Sequence, residues 1–302
     1  MSSSAGALPK WARAGEKQCG MNGMAEALYQ GMDRAAIDRQ FNLRARWPDH
    51  QDYFDRWARD SAEARARLEP RLDLAYGDTP GCRLDYFPAQ AKDAPLLAFI
   101  HGGYWQHLDK ADFSYLATPY LGAGVAYASL NYDLAPGVRL GEIVAQIRRA
   151  LTWLQTEART LGFDPERLFA AGHSAGGHLA LMAADLPGGL VKGTCAVSGV
   201  YDLRPVRFSY HQDVLHLGAE EAEALSPVLR VPAEAGPVIC AVGSEETEVF
   251  LRQQGELVAA WRAGGHEVGT IDLPGRHHFS AIDALGEPGH PLFRAVLSLI
   301  RG

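Results

Sequence analysis

Residues 168–182 read LFAAGHSAGGHLALM: an apolar run leads directly into a serine, and small and apolar residues lead away from it. The first half has the texture of a buried strand, the second that of a helix. A strand that becomes a helix through a single residue needs a tight, strained turn. Gly172 and Gly176, two positions either side of Ser174, give that turn its room. The hydroxyl of Ser174 is then held out at a helix amino terminus, where developing negative charge is favoured. No Gly-rich phosphate-binding sequence accompanies this Gly-x-Ser-x-Gly stretch, so Ser174 is expected to be a nucleophile. His173, its neighbour, is expected on the substrate side of the turn.

The chain around this turn alternates short apolar runs with longer amphipathic ones. RLDLAYG, CRLDYFP and PLLAFIH precede a helix near 110–122. GVAYASLNY then leads to a helix over 141–161, in which Ile143, Ile147, Leu151 and Leu154 form one apolar stripe. RLFAAGH, VKGTCAVSG, PVICAVG and EVGTIDL supply further strands, with an irregular segment around 201–235 and helices near 246–263 and 290–301. This order predicts an α/β protein whose mostly parallel sheet carries helices on both faces and binds its ligand at the carboxyl ends of the strands. Residues 24–69 are charge-rich and helical in pattern, in two pieces broken at Pro48. They are expected as a helical attachment packed on one domain spanning 24–302, behind a disordered leader over 1–23.

A serine that attacks a carbonyl needs hydrogen-bond donors aimed at the oxygen that becomes negative. One is the amide of Ala175; the other should lie in the loop after an earlier strand. AFIHGGYWQH, residues 98–107, has the form of that loop. Gly102 and Gly103 let backbone amides, with that of Tyr104, approach a substrate without a Cβ in the way, and His101 is expected to orient the loop. Tyr104 is expected to wall the substrate pocket, and Trp105 to be either wall or core. The carboxylate should follow PVICAVG, where Glu245, Glu246 and Glu248 all stand. The base should follow the last strand, where His277 and His278 lie in LPGRHHFSAID; His266 precedes its strand and His290 opens a helix.

Composition removes several other classes. With 29 Lys and Arg against 36 Asp and Glu, the net charge is −7 and there is no long basic run, so neither nucleic acid nor an anionic membrane is an expected partner. No apolar run approaches the roughly 18 residues of a bilayer span. Cys19, Cys82, Cys195 and Cys240 are far apart and form no C-x-x-C, which suits reduced thiols in the cytoplasm. The adjacent histidines have no H-E-x-x-H or Cys companions, so neither a metal nor an organic cofactor is expected. A small-molecule substrate is the expected partner, and a homodimer is compatible with the chain.

With HGGYWQ, NYDLAP, AGHSAGGHLA, VSGVYDL and HHF in place, the chain resembles the serine-dependent kynurenine formamidases of the α/β-hydrolase superfamily over most of residues 24–302. That group has aromatics where the broader esterases of the superfamily have a third glycine. The resemblance implies Ser174 as nucleophile, Glu246 as triad acid and His278 as base, with Tyr201 and Asp202 close to the site. It implies hydrolysis of N-formyl-L-kynurenine to L-kynurenine and formate. Relatives with the same motifs also include general carboxylesterases, which act on short-chain acyl esters.

Overall fold

The computed structural model describes residues 27–302. The expected leader and Cys19 lie outside the described residues. Eight strands form one sheet in the order β1-β2-β4-β3-β5-β6-β7-β8. They are β1 (Arg71–Ala75), β2 (Arg83–Phe87), β3 (Ala94–Ile100), β4 (Ala126–Leu130), β5 (Phe163–His173), β6 (Thr194–Val197), β7 (Val238–Gly243) and β8 (Val268–Leu273). β2 runs antiparallel to both β1 and β4, and every other neighbouring pair is parallel. All residues of β3, β4, β6 and β7 are buried, as strands covered on both faces must be.

The apolar stripe of the helix Leu140–Leu161 is buried as expected, with Ile143, Ile147, Leu151 and Leu154 fully enclosed. Gln146 on the same helix is also buried, and its amide brackets Asp133: it accepts from the Asp133 N–H at 2.8 Å and donates to the carboxylate at 2.8 Å. A buried polar side chain satisfied on both ends ties this helix to the loop after β4.

The helix anticipated near 110–122 has two textures, a 3-10 segment Lys110–Leu116 and an α-helix Ala117–Gly122. Pro119, which has no amide to donate, falls in the first turn of the α-helical part, where no intrahelical bond is lost. The helix after β7 starts at Glu248, with Thr247 as its N-cap residue, so Glu246 stands in the turn ahead of it. The segment 201–235 contains short helices at Pro205–Phe208, Gln212–Leu215 and Ala219–Ala224.

Before β1, helices occupy Arg34–Phe41, Leu43–Arg46 and His50–Leu68. The break at Pro48 is present, and there is a second at Asn42, whose side chain caps the short helix by accepting from the Ala45 amide at 3.2 Å. The long helix lies on the Lys110–Leu116 segment. Its Trp57 is buried with ring centroids 5.5 Å from Phe113, and its Ser61 hydroxyl accepts from the Tyr115 amide at 3.1 Å. Arg56 makes a forked ion pair with Asp283, at 3.0 and 2.8 Å, from the other end of the chain. Among the described residues no helix is long and apolar enough to cross a membrane.

Candidate active site

β3 and β5 are neighbours in register, Ile100 beside Gly172, and sequence order along the sheet reverses here because β4 lies on the far side of β3. Two loops therefore leave adjacent carboxyl ends: HGGYW from β3 and the Ser174 turn from β5. Ser174 has φ 57° and ψ −122°, a strained conformation for a residue with a side chain, costing about 1–3 kcal/mol. The residues two positions either side must be glycine for steric reasons. A Cβ on Gly172 would lie 2.1 Å from the Gly176 carbonyl oxygen, and one on Gly176 would lie 1.9 Å from that of Ile100. The Ser174 amide is held by the Val197 carbonyl at 2.9 Å, which fixes the turn against β6.

The turns after β7 and β8 are bound to each other. The amides of Ser244 and Glu245 donate to the carbonyls of Leu273 and Arg276, at 3.0 and 3.1 Å, and the Ser244 hydroxyl accepts from the Gly275 amide at 2.8 Å. Gly243 permits this approach, since a Cβ there would meet the Arg276 oxygen at 2.2 Å. The N-terminal helices hold the same turn from outside. The Thr247 hydroxyl donates to the Gln40 carbonyl at 3.1 Å, and the Val249 amide to the Gln40 side chain at 3.2 Å.

These constraints bring Ser174, His278 and Glu246 together. Nε2 of His278 lies 2.9 Å from Oγ of Ser174, and Nδ1 lies 3.0 and 3.2 Å from the two carboxylate oxygens of Glu246. Because a carboxylate can only accept, Nδ1 carries the proton and Nε2 presents its lone pair to the hydroxyl. All three side chains are buried. Of the three glutamates that follow β7, Glu245 and Glu248 are exposed, and only Glu246 points inward. The paired histidines diverge: His277 caps its helix, accepting from the Phe279 amide, and stacks on Trp47 at 5.2 Å. His266 and His290 bond instead to the Pro232 carbonyl and the Leu292 amide.

The glycine loop is supported from beneath by the NYDLAP segment. Nε2 of His101 contacts the Asn131 side-chain oxygen at 2.9 Å, and its ring stacks on Tyr132 at 4.3 Å. The Tyr132 hydroxyl donates to the His101 carbonyl at 2.9 Å. Gly103, Tyr104 and Trp105 all have positive φ, at 95°, 50° and 58°, so the loop curls under itself. A Cβ on Gly103 would meet the His107 carbonyl oxygen at 2.2 Å, and one on Gly102 would meet the Ser174 Cβ at 3.0 Å. Gly102 thus lies close against the His173–Ser174 backbone, while Gly103 and Tyr104 face the cavity beside it.

That cavity has a volume of about 240 Å3 and is bounded by Ser174, His278, His173, Gly103 and Tyr104 on the sheet side. Tyr104 is braced: its hydroxyl donates to the Phe41 carbonyl at 3.0 Å and its ring stacks on His211 at 3.8 Å. His173 donates from Nε2 to the carbonyl of His278 at 2.9 Å, and burial keeps it neutral, far below its ordinary pKa. Two expected pocket residues are elsewhere. Trp105 is fully buried in the core with its ring edge-on to His178, and Tyr201 packs in a second cluster around β7 with its hydroxyl at the Gly199 amide. Trp105 does not line the cavity, although its neighbour Tyr104 does. Asp202 is buried against Arg204 and the Tyr29 hydroxyl and does not line the cavity.

The opposite wall was not legible in the sequence. Asn42, Leu43, Arg44, Phe54 and Trp57 come from the N-terminal helices, and Tyr210 and His211 from the irregular segment after β6. Trp57 and Phe54 fit the apolar face of a surface helix, so their pattern announces burial without saying against what.

Comparison with known proteins agrees with this architecture. The BD-FAE family profile matches residues 84–195, and that of the prolyl oligopeptidase family matches residues 143–287. A Silicibacter sp. TM1040 protein, provisionally described as a thioesterase, superimposes with a TM-score of 0.79 at 31% identity over 88% of this chain and 99% of its own. The esterase LipC of Mycobacterium tuberculosis is 30% identical over 72% of this chain and 62% of its own. The protein is a serine hydrolase of the α/β-hydrolase class. A kynurenine formamidase of Danio rerio is 31% identical over 251 residues, which cover 78% of this chain and 84% of that enzyme. The chain belongs to the kynurenine formamidase family.

Proposed function

We propose that the protein hydrolyses N-formyl-L-kynurenine to L-kynurenine and formate through an acyl-enzyme on Ser174. The observation that carries this reading is the unbroken line of hydrogen bonds from Glu246 through His278 to Ser174, which borders the cavity. Nε2 of His278 takes the Ser174 proton while Oγ attacks the formyl carbon. Glu246 holds the imidazole in the required tautomer and stabilises the imidazolium. The amides of Gly103, Tyr104 and Ala175 receive the oxyanion, with Gly102 allowing the close approach. His278 then protonates the departing arylamine as the C–N bond breaks. A water molecule, deprotonated by His278, attacks the formyl-serine, and formate leaves as the proton returns to Oγ. No metal or organic cofactor takes part.

A second reading is a carboxylesterase acting on short-chain acyl esters, favoured by the similarity to LipC. The two differ in the acyl group, formyl against a short-chain acyl, and in the leaving group, an arylamine against an alcohol. kcat/KM for N-formyl-L-kynurenine against that for p-nitrophenyl acetate separates them: the formamidase reading requires the formamide to be strongly preferred, and a large preference for the ester would overturn it. The buried free thiols of Cys82, Cys195 and Cys240 support a cytoplasmic location.

A further inference from the structure

We propose that Arg44 selects substrates bearing a carboxylate, receiving that group at the rim of the cavity while the scissile carbonyl lies at Ser174. The inference deepens the hydrolytic reading of this cavity and rests on it. Among the described residues that line the cavity there is no aspartate or glutamate, and Arg44 is the one Lys or Arg. The other titratable groups facing it do not compete. His107, His173 and His211 are all pushed below the ordinary histidine pKa by desolvation, His211 to about 3, so they stay neutral. The phenols of Tyr104 and Tyr210 are pushed up by burial and stay protonated.

The guanidinium is exposed and has no carboxylate partner among the described residues. The acids flanking this segment in sequence have other partners: Asp38 bonds Arg34 and the Tyr210 amide, and Asp49 faces His277. Arg44 is nevertheless aimed. Its Cζ sits 5.5 Å from the centroid of Phe54, itself a cavity wall, and its charge is felt at His107, Tyr210 and His211. A planar fork of donors over an apolar wall is the arrangement that binds carboxylate groups attached to aromatic bodies. On a protein of net charge −7, a cation at the cavity mouth also offsets the general repulsion of anions there.

Two substrate pairs test the proposal, each joining a compound that bears a carboxylate to one with the same scissile bond that lacks it. The formamide pair is N-formyl-L-kynurenine and its α-carboxamide, which keeps the ammonium; the ester pair is ortho-acetoxyphenylbutanoate and its primary amide. The readout is the ratio of kcat/KM, carboxylate-bearing over carboxylate-free, in wild type, Arg44→Glu and Arg44→Lys. Arg44→Glu should lower this ratio about tenfold, mainly through KM, in whichever pair is turned over, and Arg44→Lys should restore most of it. Raising ionic strength should lower the wild-type ratio and leave the Arg44→Glu ratio little changed. A ratio equal in wild type and Arg44→Glu would overturn the proposal. If only the ester pair is hydrolysed and its ratio still depends on Arg44, the formamidase reading fails and the anion site stands.

Discussion

Glu246 and His278 meet with both carboxylate oxygens near one ring nitrogen, at 3.0 and 3.2 Å, while Glu245 one position earlier is exposed. Glu246→Gln should therefore lower kcat by about 10³–10⁴, because an amide no longer fixes the proton on Nδ1. Glu245→Gln should change it less than twofold. Steady-state kinetics on any turned-over substrate distinguishes the two, and equal effects would remove Glu246 from its role.

Gly176 sits with its Cα against β3, where an added methyl carbon would come within 1.9 Å of the Ile100 oxygen. Gly176→Ala should cost about 3 kcal/mol of stability and most of the activity, since strand and turn cannot both keep their places. Gly141 in the helix Leu140–Leu161 has open space around it, so Gly141→Ala should be neutral or stabilising by up to about 1 kcal/mol. Denaturant titration of both variants checks the contrast.

His178 is fully buried and burial pushes its pKa down to about 4; His211 is pushed down to about 3. Above the ordinary value near 6.5 both folded and unfolded chains hold these rings neutral, and the stability is fully present. As pH falls from there towards 4, the unfolded chain gains protons that the folded one refuses. Each such histidine should then remove about 1.4 kcal/mol per pH unit. Urea unfolding at pH 7.5 and 5 should show the loss, and replacing His178 by Gln should flatten the dependence.

Tyr104 is held by the Phe41 carbonyl and by the His211 ring. Tyr104→Phe keeps the stack and loses the hydrogen bond, so it should cost about 1 kcal/mol of stability. Tyr104→Ala removes the wall itself and should raise KM several-fold. Thermal melts and Michaelis curves for the pair check both halves.

The sheet was legible because its central strands β3, β4, β6 and β7 are short apolar runs bounded by turn residues, and the Ser174 turn because its glycines are sterically compulsory. The choice among Glu245, Glu246 and Glu248 was not open to periodicity, since all three precede or begin one helix and only the bonded turns after β7 and β8 decide which faces inward. Trp105 could not be assigned from its position beside Tyr104 either. Tyr104 bounds the cavity and Trp105 is fully buried beside it, in a curl of consecutive positive-φ residues that has no hydrophobic period to announce it. The wall from Asn42 to Trp57 is a long-range contact between an amphipathic segment and a loop it precedes by many residues, and the charge-rich sequence shows only that one face must be covered.

Covalent labelling at Ser174 tests the central claim most directly. A fluorophosphonate should phosphonylate one residue, and digestion with mass spectrometry should find the adduct on the peptide containing Ser174. Ser174→Ala should abolish the adduct and His278→Ala should slow its formation by orders of magnitude. An intact protein that takes up no label, or takes it up on another serine, would contradict the account.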